Sequence, residues 1–169
     1  MDILISSNLE RLLCMAGGQE KTKTLMESLN KDGKYTLDLT KGDIKGEYAT
    51  EEETAEAIKE MYEKNGYVLD THTAVAYASY EKYKAQTGDN TPAVIVSTAS
   101  PYKFTKDVLC AIDKKYKQKD FFGLMGELEQ LSGVSIPAPI KGIESRPILH
   151  NTVIEKDNIK NFVKNYLVK

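Results

Sequence analysis

A short, continuously apolar run at residues 93–96, Ala-Val-Ile-Val, most constrains what this chain can fold into. Such a run, rich in β-branched side chains, is typical of a strand covered on both faces, as in a parallel sheet. It is followed by the hydroxyl residues Ser97, Thr98 and Ser100, and then by Pro101. Because a serine N-cap with proline at the first helical position commonly begins a helix, the sequence predicts a buried strand that leads into a helix.

The hydroxyl groups after this predicted strand are candidate ligand-binding groups. In open α/β sheets, ligands lie in the crevice at the carboxyl ends of the strands. Ser97 and Thr98 would lie at such an end. The alternative is that these hydroxyls only cap a helix, and the residues alone leave both interpretations open.

A strand and a helix are also predicted just before this run. Residues 67–69, Tyr-Val-Leu, are typical of a brief strand, and any residue of 70–73 could cap the helix that is predicted to continue to about Thr87. Together with residues 93–96, these segments form a predicted βαβ unit. Further strands are predicted at residues 2–5 and 35–39.

These patterns predict an α/β fold, with three α/β/α layers around a mostly parallel sheet. The chain has 169 residues, which suits one domain. Within residues 1–169 we expect a helical insertion at 14–66, a βαβα core at 67–113 and a C-terminal segment at 114–169.

Two further patterns give testable expectations about packing. Thr50 and Glu53 predict a capping box, which we prefer to an acidic metal site at residues 51–53 because consecutive residues do not share one helix face. Cys14 and Cys110 lie in apolar helical patterns and are predicted to be buried thiols. A terminal helix is predicted to turn its apolar residues inward, namely Ile159, Phe162, Val163, Tyr166 and Leu167.

Composition argues against several classes of protein. The chain has 23 basic and 25 acidic residues and a net charge of −2, with no basic stripe, so a nucleic-acid partner is not expected. No apolar run is as long as a membrane span, and Asp2 argues against a signal peptide, so we expect a cytoplasmic protein without a membrane partner. Distant cysteines and histidines do not form a zinc pattern, and no metal site is predicted.

The histidines have no strong motif around them. His72 lies beside Asp70 and Thr73 at a predicted strand-to-helix junction, where it could act as a base or bind an anion. The alternative is a histidine that is hydrogen-bonded locally at a helix start. His150 is assigned a structural or exposed role.

Several segments resemble the threonine synthase family in the family's own order. They are residues 70–78 (DTHTAVAYA), 87–89 (TGD) and 96–104 (VSTASPYKF), together with 1–13 and 150–157. The resemblance implies an enzyme of fold type II, the tryptophan synthase β-like group. Such an enzyme uses pyridoxal phosphate to convert O-phosphohomoserine and water to threonine and phosphate.

The resemblance covers only the C-terminal part of the family. The family's Schiff-base lysine and its phosphate-cradling loop would precede Met1, and Lys119-Asp120-Phe121 only mimics the lysine signature. A domain that opens on a predicted core strand also suggests truncation at Met1. The resemblance therefore implies a C-terminal fragment with no catalytic residue of its own, inactive alone and without bound pyridoxal phosphate. Its expected partner is the N-terminal part of the same enzyme. Self-association of the fragment through apolar surface and strand edges is also predicted.

The resemblance also implies roles for individual residues. Thr98, with Ser97 as the fallback, is the hydroxyl that would face the pyridine nitrogen of pyridoxal phosphate. The predicted substrate-binding residues are Lys103, Asn8 and His72. The alternative is a stand-alone α/β module that binds a small molecule or an anion without catalysis.

Overall fold

The computed structural model describes residues 5–37 and 44–168, and the described chain is helical. It divides into two compact units, Met1–Ser135 and Ile136–Lys169. The first unit contains α1 (Ser7–Gly17), α2 (Gln19–Asp32), α3 (Glu51–Asn65), α4 (Thr71–Thr87), α5 (Thr105–Ile112) and α6 (Phe121–Ser132), and the second contains α7 (Ile159–Leu167). Short 3₁₀ turns lie at Pro101–Phe104, Lys114–Gln118, Ile143–Ser145 and Lys156–Asn158.

The predicted α/β fold with a mostly parallel sheet is wrong for the described residues, which contain no strand. Residues 67–69 and 93–96 have no regular secondary structure. In the second run, Val94 is 91% exposed and Val96 is 70% exposed. A helix makes its backbone hydrogen bonds within itself, whereas a strand needs a neighbour to receive them. The predicted βαβ unit is therefore present only as its helix, α4.

The other predicted strands fall partly on residues that the structure does not describe. Of the predicted strand at 2–5, only Ile5 is described, and it lies outside regular structure. Of the predicted strand at 35–39, residues 35–37 are irregular and the rest lie outside the described residues.

Helix ends follow their predicted capping chemistry. The Thr50 hydroxyl accepts a hydrogen bond from the Glu53 backbone N–H (3.2 Å), and the Thr50 N–H donates to Glu53 Oε2 (2.7 Å), which confirms the capping box of α3. Gly66 ends the helix at φ 65°, a conformation that suits glycine. Ser100 caps the turn that begins at Pro101, as predicted, although its first turn is 3₁₀ rather than α-helical.

The core of the first unit lies among α3, α4, α5 and α6. Helix α3 packs on α4 and α5, and α5 packs on α6. The apolar residues buried at 0–1% exposure are Ile58, Ala74, Val108, Leu109, Leu124 and Leu128. Tyr102 joins this core from the 3₁₀ turn and donates its hydroxyl proton to the Val134 carbonyl, and burial raises the pKa of its phenol. The turn that follows Ser97 and Thr98 is thus fixed to the packed helices.

Two packing predictions were wrong. The apolar residues of α7 are exposed instead of inward, from Phe162 at 38% to Leu167 at 76%. Cys14 is exposed and Cys110 is only half-buried, so the prediction of buried thiols fails for Cys14. Among the helices of the described residues, none is both long enough and apolar enough to cross a membrane.

Candidate functional site

Asp70 is the centre of a buried polar cluster at the start of α4. It is the N-cap of this helix and is 2% exposed. Its Oδ1 atom accepts hydrogen bonds from the backbone N–H groups of His72 (2.9 Å) and Thr73 (3.3 Å). Its Oδ2 atom accepts a hydrogen bond from the Thr73 hydroxyl. The sequence indicated Asp70 as one of several possible caps, and the structure assigns the cap to it alone.

A hydroxyl contact extends this arrangement to the predicted cofactor-binding residue Ser97. The Thr73 Oγ1 and Ser97 Oγ atoms are 3.2 Å apart, across 24 positions of sequence. The Thr73 hydroxyl has one proton, and the Asp70 carboxylate is the stronger acceptor, so Thr73 accepts from Ser97. The proton order is therefore Ser97 to Thr73 to Asp70. We call Asp70, His72, Thr73 and Ser97 the Asp70 cluster.

The His72 ring is held by the same carboxylate. Its Nδ1 atom lies 3.2 Å from Asp70 Oδ1, and the His72 side chain is 26% exposed. Because a carboxylate only accepts hydrogen bonds, this contact is a hydrogen bond only when Nδ1 carries a proton. The ring also packs against Phe104, with 5.6 Å between ring centroids and a 38° tilt. His72 is thus both locally hydrogen-bonded and partly open to solvent.

Lys103 is brought towards His72 by the 3₁₀ turn. Its ammonium nitrogen lies 5.5 Å from the centroid of the Phe104 ring, which in turn packs on His72. Lys103 itself is exposed. Phe104 was not recognised as a site residue from the sequence, although its position three residues after Pro101 places it on the turn that Ser100 caps.

Thr98 lies on the solvent side of this arrangement. It follows Ser97 directly and is exposed, as Ser97 is. Its hydroxyl is therefore accessible to a ligand, in contrast to the buried hydroxyls of Thr73 and Thr105.

Asn8, a predicted substrate-binding residue, makes its hydrogen bond within its own helix. It lies on α1, and its amide oxygen accepts a hydrogen bond from the Arg11 guanidinium. The structure therefore connects Ser97, His72 and Lys103, with Thr98 adjacent in the chain, whereas the contact recorded for Asn8 lies within its own helix.

A cavity of about 330 Å³ opens beside the cluster. It is lined by Glu51, Thr54, Thr71, Phe104 and Asp107. Within the described part of the chain, the buried Thr71 Oγ1 atom has no hydrogen-bond partner. Among the residues that the structure describes, Glu51 and Asp107 supply carboxylates to this lining and no basic side chain contributes to it, which does not suit a phosphate group. No group of metal-ligating side chains was found among residues 5–37 and 44–168.

The family model "Threonine synthase, C-terminal" matches residues 73–163, which is more than half of the chain. This chain belongs to the threonine synthase family. The match includes Thr73, Ser97, Thr98 and Lys103, and the resemblance predicted from the sequence is confirmed.

Individual threonine synthases are similar over all or much of the chain. The threonine synthase of Saccharomyces cerevisiae is 33% identical across 100% of this chain, which corresponds to 35% of its own length. That of Schizosaccharomyces pombe is 34% identical across 66% of this chain and 25% of its own length. This chain thus spans about a third or less of these relatives.

Solved structures agree with this placement. The crystal structure of threonine synthase from yeast matches with a TM-score of 0.67 and 28% identity, over 99% of this chain and 35% of that one. A PLP-bound threonine synthase from Brucella melitensis (PLP, pyridoxal phosphate) matches with a TM-score of 0.59 and 27% identity, over 98% of this chain and 33% of that one.

Proposed function

We propose that this chain supplies the C-terminal part of a threonine synthase active site and is inactive without an N-terminal part. The complete enzyme would convert O-phosphohomoserine and water to threonine and phosphate. The observation that carries the proposal is the family match together with coverage of 35% of the yeast enzyme's length. The exposed, strand-forming run at residues 93–96 supports it, because such a run requires a neighbouring strand.

The residues of this chain fit one end of pyridoxal phosphate. Thr98 offers an accessible hydroxyl that can donate to the ring nitrogen, beside a turn held in place by Tyr102. The acidic cavity next to the Asp70 cluster does not suit the phosphate end of the cofactor. When bound, pyridoxal phosphate supplies the electron-withdrawing ring on which the reaction depends. The lysine that carries it and the groups that hold its phosphate would come from the N-terminal part.

Thr98, and not Ser97, is the proposed donor to the ring nitrogen. The Ser97 proton is directed to Thr73, 3.2 Å away, which leaves the Ser97 oxygen as an acceptor on its open side. Lys103 is the proposed partner of the substrate phosphate, because it is exposed and lies close to the cluster through Phe104.

An enzyme completed by an N-terminal part allows a direct test of Thr98. We expect Thr98→Val to weaken cofactor binding by about 1–3 kcal/mol and to shift the cofactor absorption band, because the ring nitrogen loses its hydrogen-bond donor. Ser97→Ala is the matched comparison and should have the smaller effect on both readouts. Unchanged affinity and spectrum in Thr98→Val would refute the assignment.

The isolated chain provides the test of the wider proposal. Incubated with pyridoxal phosphate, treated with borohydride and digested for mass spectrometry, it should show only scattered, substoichiometric lysine labelling. It should also release no phosphate from O-phosphohomoserine. One stoichiometrically labelled lysine would contradict the proposal. Tight binding of a small anion without turnover would instead favour the stand-alone binding module.

Self-association is a further part of the proposal. Val94 is 91% exposed and Val96 is 70% exposed, and a strand-forming segment that has no strand partner among the described residues can pair with a second copy. We expect size-exclusion chromatography with light scattering to show dimers whose fraction rises with concentration. A monomer across the whole concentration range would contradict this expectation.

A further inference from the structure

We infer that Asp70 is a positioning residue that holds His72 as a hydrogen-bond acceptor, with the lone pair on Nε2. This inference rests on the proposed function, because it assigns a role to His72 within that same site. The ligand group that meets His72 would then be a donor, such as an ammonium, a hydroxyl or a water molecule. It would not be the phosphate.

The first step of the argument is the burial of Asp70. Its side chain is 1% exposed, yet it holds a carboxylate in a helical core. Burying a charged group is unfavourable unless hydrogen bonds compensate it. Backbone N–H groups of His72 and Thr73 and the Thr73 hydroxyl donate hydrogen bonds to this carboxylate, and the His72 ring nitrogen Nδ1 lies within hydrogen-bond distance of it.

The second step is the asymmetry of the His72 ring. Nδ1 lies 3.2 Å from Asp70 Oδ1, on the inner side, whereas Nε2 is on the opposite edge of the imidazole. The Phe104 ring, 5.6 Å away, restricts the tilt of the imidazole. A carboxylate that accepts from Nδ1–H fixes the tautomer in which Nε2 has no proton. Free histidine prefers the other tautomer, so the bond to Asp70 changes what His72 offers a ligand.

The third step is the electrostatic surroundings. The cavity on the Phe104 side is lined by Glu51 and Asp107, which are acidic. The Asp70 carboxylate, 3.2 Å from His72 Nδ1, would repel a phosphate near the ring and attract an ammonium group. Lys103 is an exposed cation 5.5 Å from the centroid of the Phe104 ring and is better suited to meet a phosphate.

The experiment is nitrogen NMR of the whole chain labelled with ¹⁵N-histidine, without cofactor and at a pH well above the usual histidine range. The chain has 2 histidines, so the exposed His150 is an internal reference, and His150→Gln assigns the signals. We expect the Nδ1–H form to predominate at His72 by roughly tenfold, since a hydrogen bond to a charged group is involved. His150 should show the Nε2–H form that free histidine prefers.

The matched variants are serine substitutions at helix N-caps. Asp70→Ser keeps a capping hydroxyl on α4 but removes the partner of Nδ1, so His72 should shift to the pattern of His150. Asp120→Ser makes the same change at the cap of α6 and should leave His72 unchanged. If Asp70 had only a structural role, Asp70→Ser would leave the tautomer of His72 unchanged.

The wild-type spectrum decides the question even where Asp70→Ser fails to fold. An Nε2–H tautomer or a persistent imidazolium at His72 would overturn the inference, and so would an unchanged Nδ1–H form in folded Asp70→Ser. Because no cofactor is present, these outcomes are independent of the cofactor proposal. That proposal fails separately if Thr98→Val leaves cofactor binding and absorption unchanged.

Discussion

The helices α3 to α6 and the run at residues 91–98 carry similar apolar side chains. These side chains are buried where the helices pack together and largely exposed to solvent in the run. Val108 on α5 is 0% exposed, whereas Val94 in the run is 91% exposed. Thr105 is 0% exposed and donates its hydroxyl proton to the Tyr102 carbonyl, whereas Thr98 is open to solvent. The difference comes from the backbone. A helix makes its N–H to C=O hydrogen bonds within itself and can then pack its side chains, whereas a strand-forming run needs a neighbouring strand for these hydrogen bonds.

This comparison places the candidate site at the boundary between the two regions. The Asp70 cluster is anchored by the packed start of α4, and it reaches the run through Ser97. Hydrogen bonds from the start of α4 orient His72 and Ser97, whereas Thr98 is exposed to solvent. The part of the chain that would meet a cofactor is therefore on the exposed side of this boundary.

The largest effect is expected from a matched pair of valine truncations. Val108→Ala removes buried methyl groups from the core and should lower the free energy of unfolding by about 2–3 kcal/mol. Val94→Ala, at 91% exposure, should change it by no more than about 0.5 kcal/mol. Urea unfolding followed by circular dichroism measures both. Equal losses in the two variants would show that the run is packed and would break the comparison.

A matched pair of threonine substitutions should give an intermediate effect. Thr105→Val removes the hydroxyl that lies 3.0 Å from the Tyr102 carbonyl oxygen, and we expect a loss of about 1–2 kcal/mol in unfolding free energy. Thr98→Val should be nearly neutral for stability, within about 0.5 kcal/mol, because its hydroxyl is exposed. The same denaturation assay applies. If Thr98→Val lowered the free energy of unfolding as much as Thr105→Val does, Thr98 would have a role in packing instead.

The smallest effect is expected from the pH dependence of the α3–α4 pair. The hydrogen bond from Lys82 (2.8 Å), followed by that from the Thr50 backbone, lowers the pKa of Glu53 from its usual 4.5. Because the folded pKa is depressed, this contribution is fully present above about pH 4.5 and is lost as pH falls through the lowered value. Glu53→Gln should flatten the stability profile slightly in that acidic range and leave its shape near neutral pH unchanged. If the free energy of unfolding of the wild type and of Glu53→Gln fell in the same way at acidic pH, Glu53 would not contribute to this pH dependence.

The sequence predicted local chemistry well because that chemistry is encoded by adjacent residues. The Thr50–Glu53 capping box and the Ser100 cap each need only a few neighbouring side chains. The family was also recognised from short motifs, notably residues 70–78 and 96–104.

The sheet could not be assigned correctly from the same patterns. The apolar, β-branched composition of residues 93–96 indicates a preference for strand pairing, and pairing requires a partner that the described residues do not provide. The exposed face of α7 has the same origin, since an amphipathic pattern predicts an apolar face but does not say what covers it. The Asp70–Thr73–Ser97 order was missed because it joins residues 24 positions apart.

Amide hydrogen exchange over residues 93–98 tests the central claim most directly, because it reports whether these backbone groups are hydrogen-bonded. In the isolated chain at low concentration, we predict exchange within about tenfold of an unstructured peptide for residues 93–96, while the amides of α5 exchange far more slowly. In an enzyme completed by an N-terminal part, the same run should become protected. Strong protection of residues 93–96 in the isolated monomer would contradict the account, because it would show that the run already has its hydrogen-bonding partner.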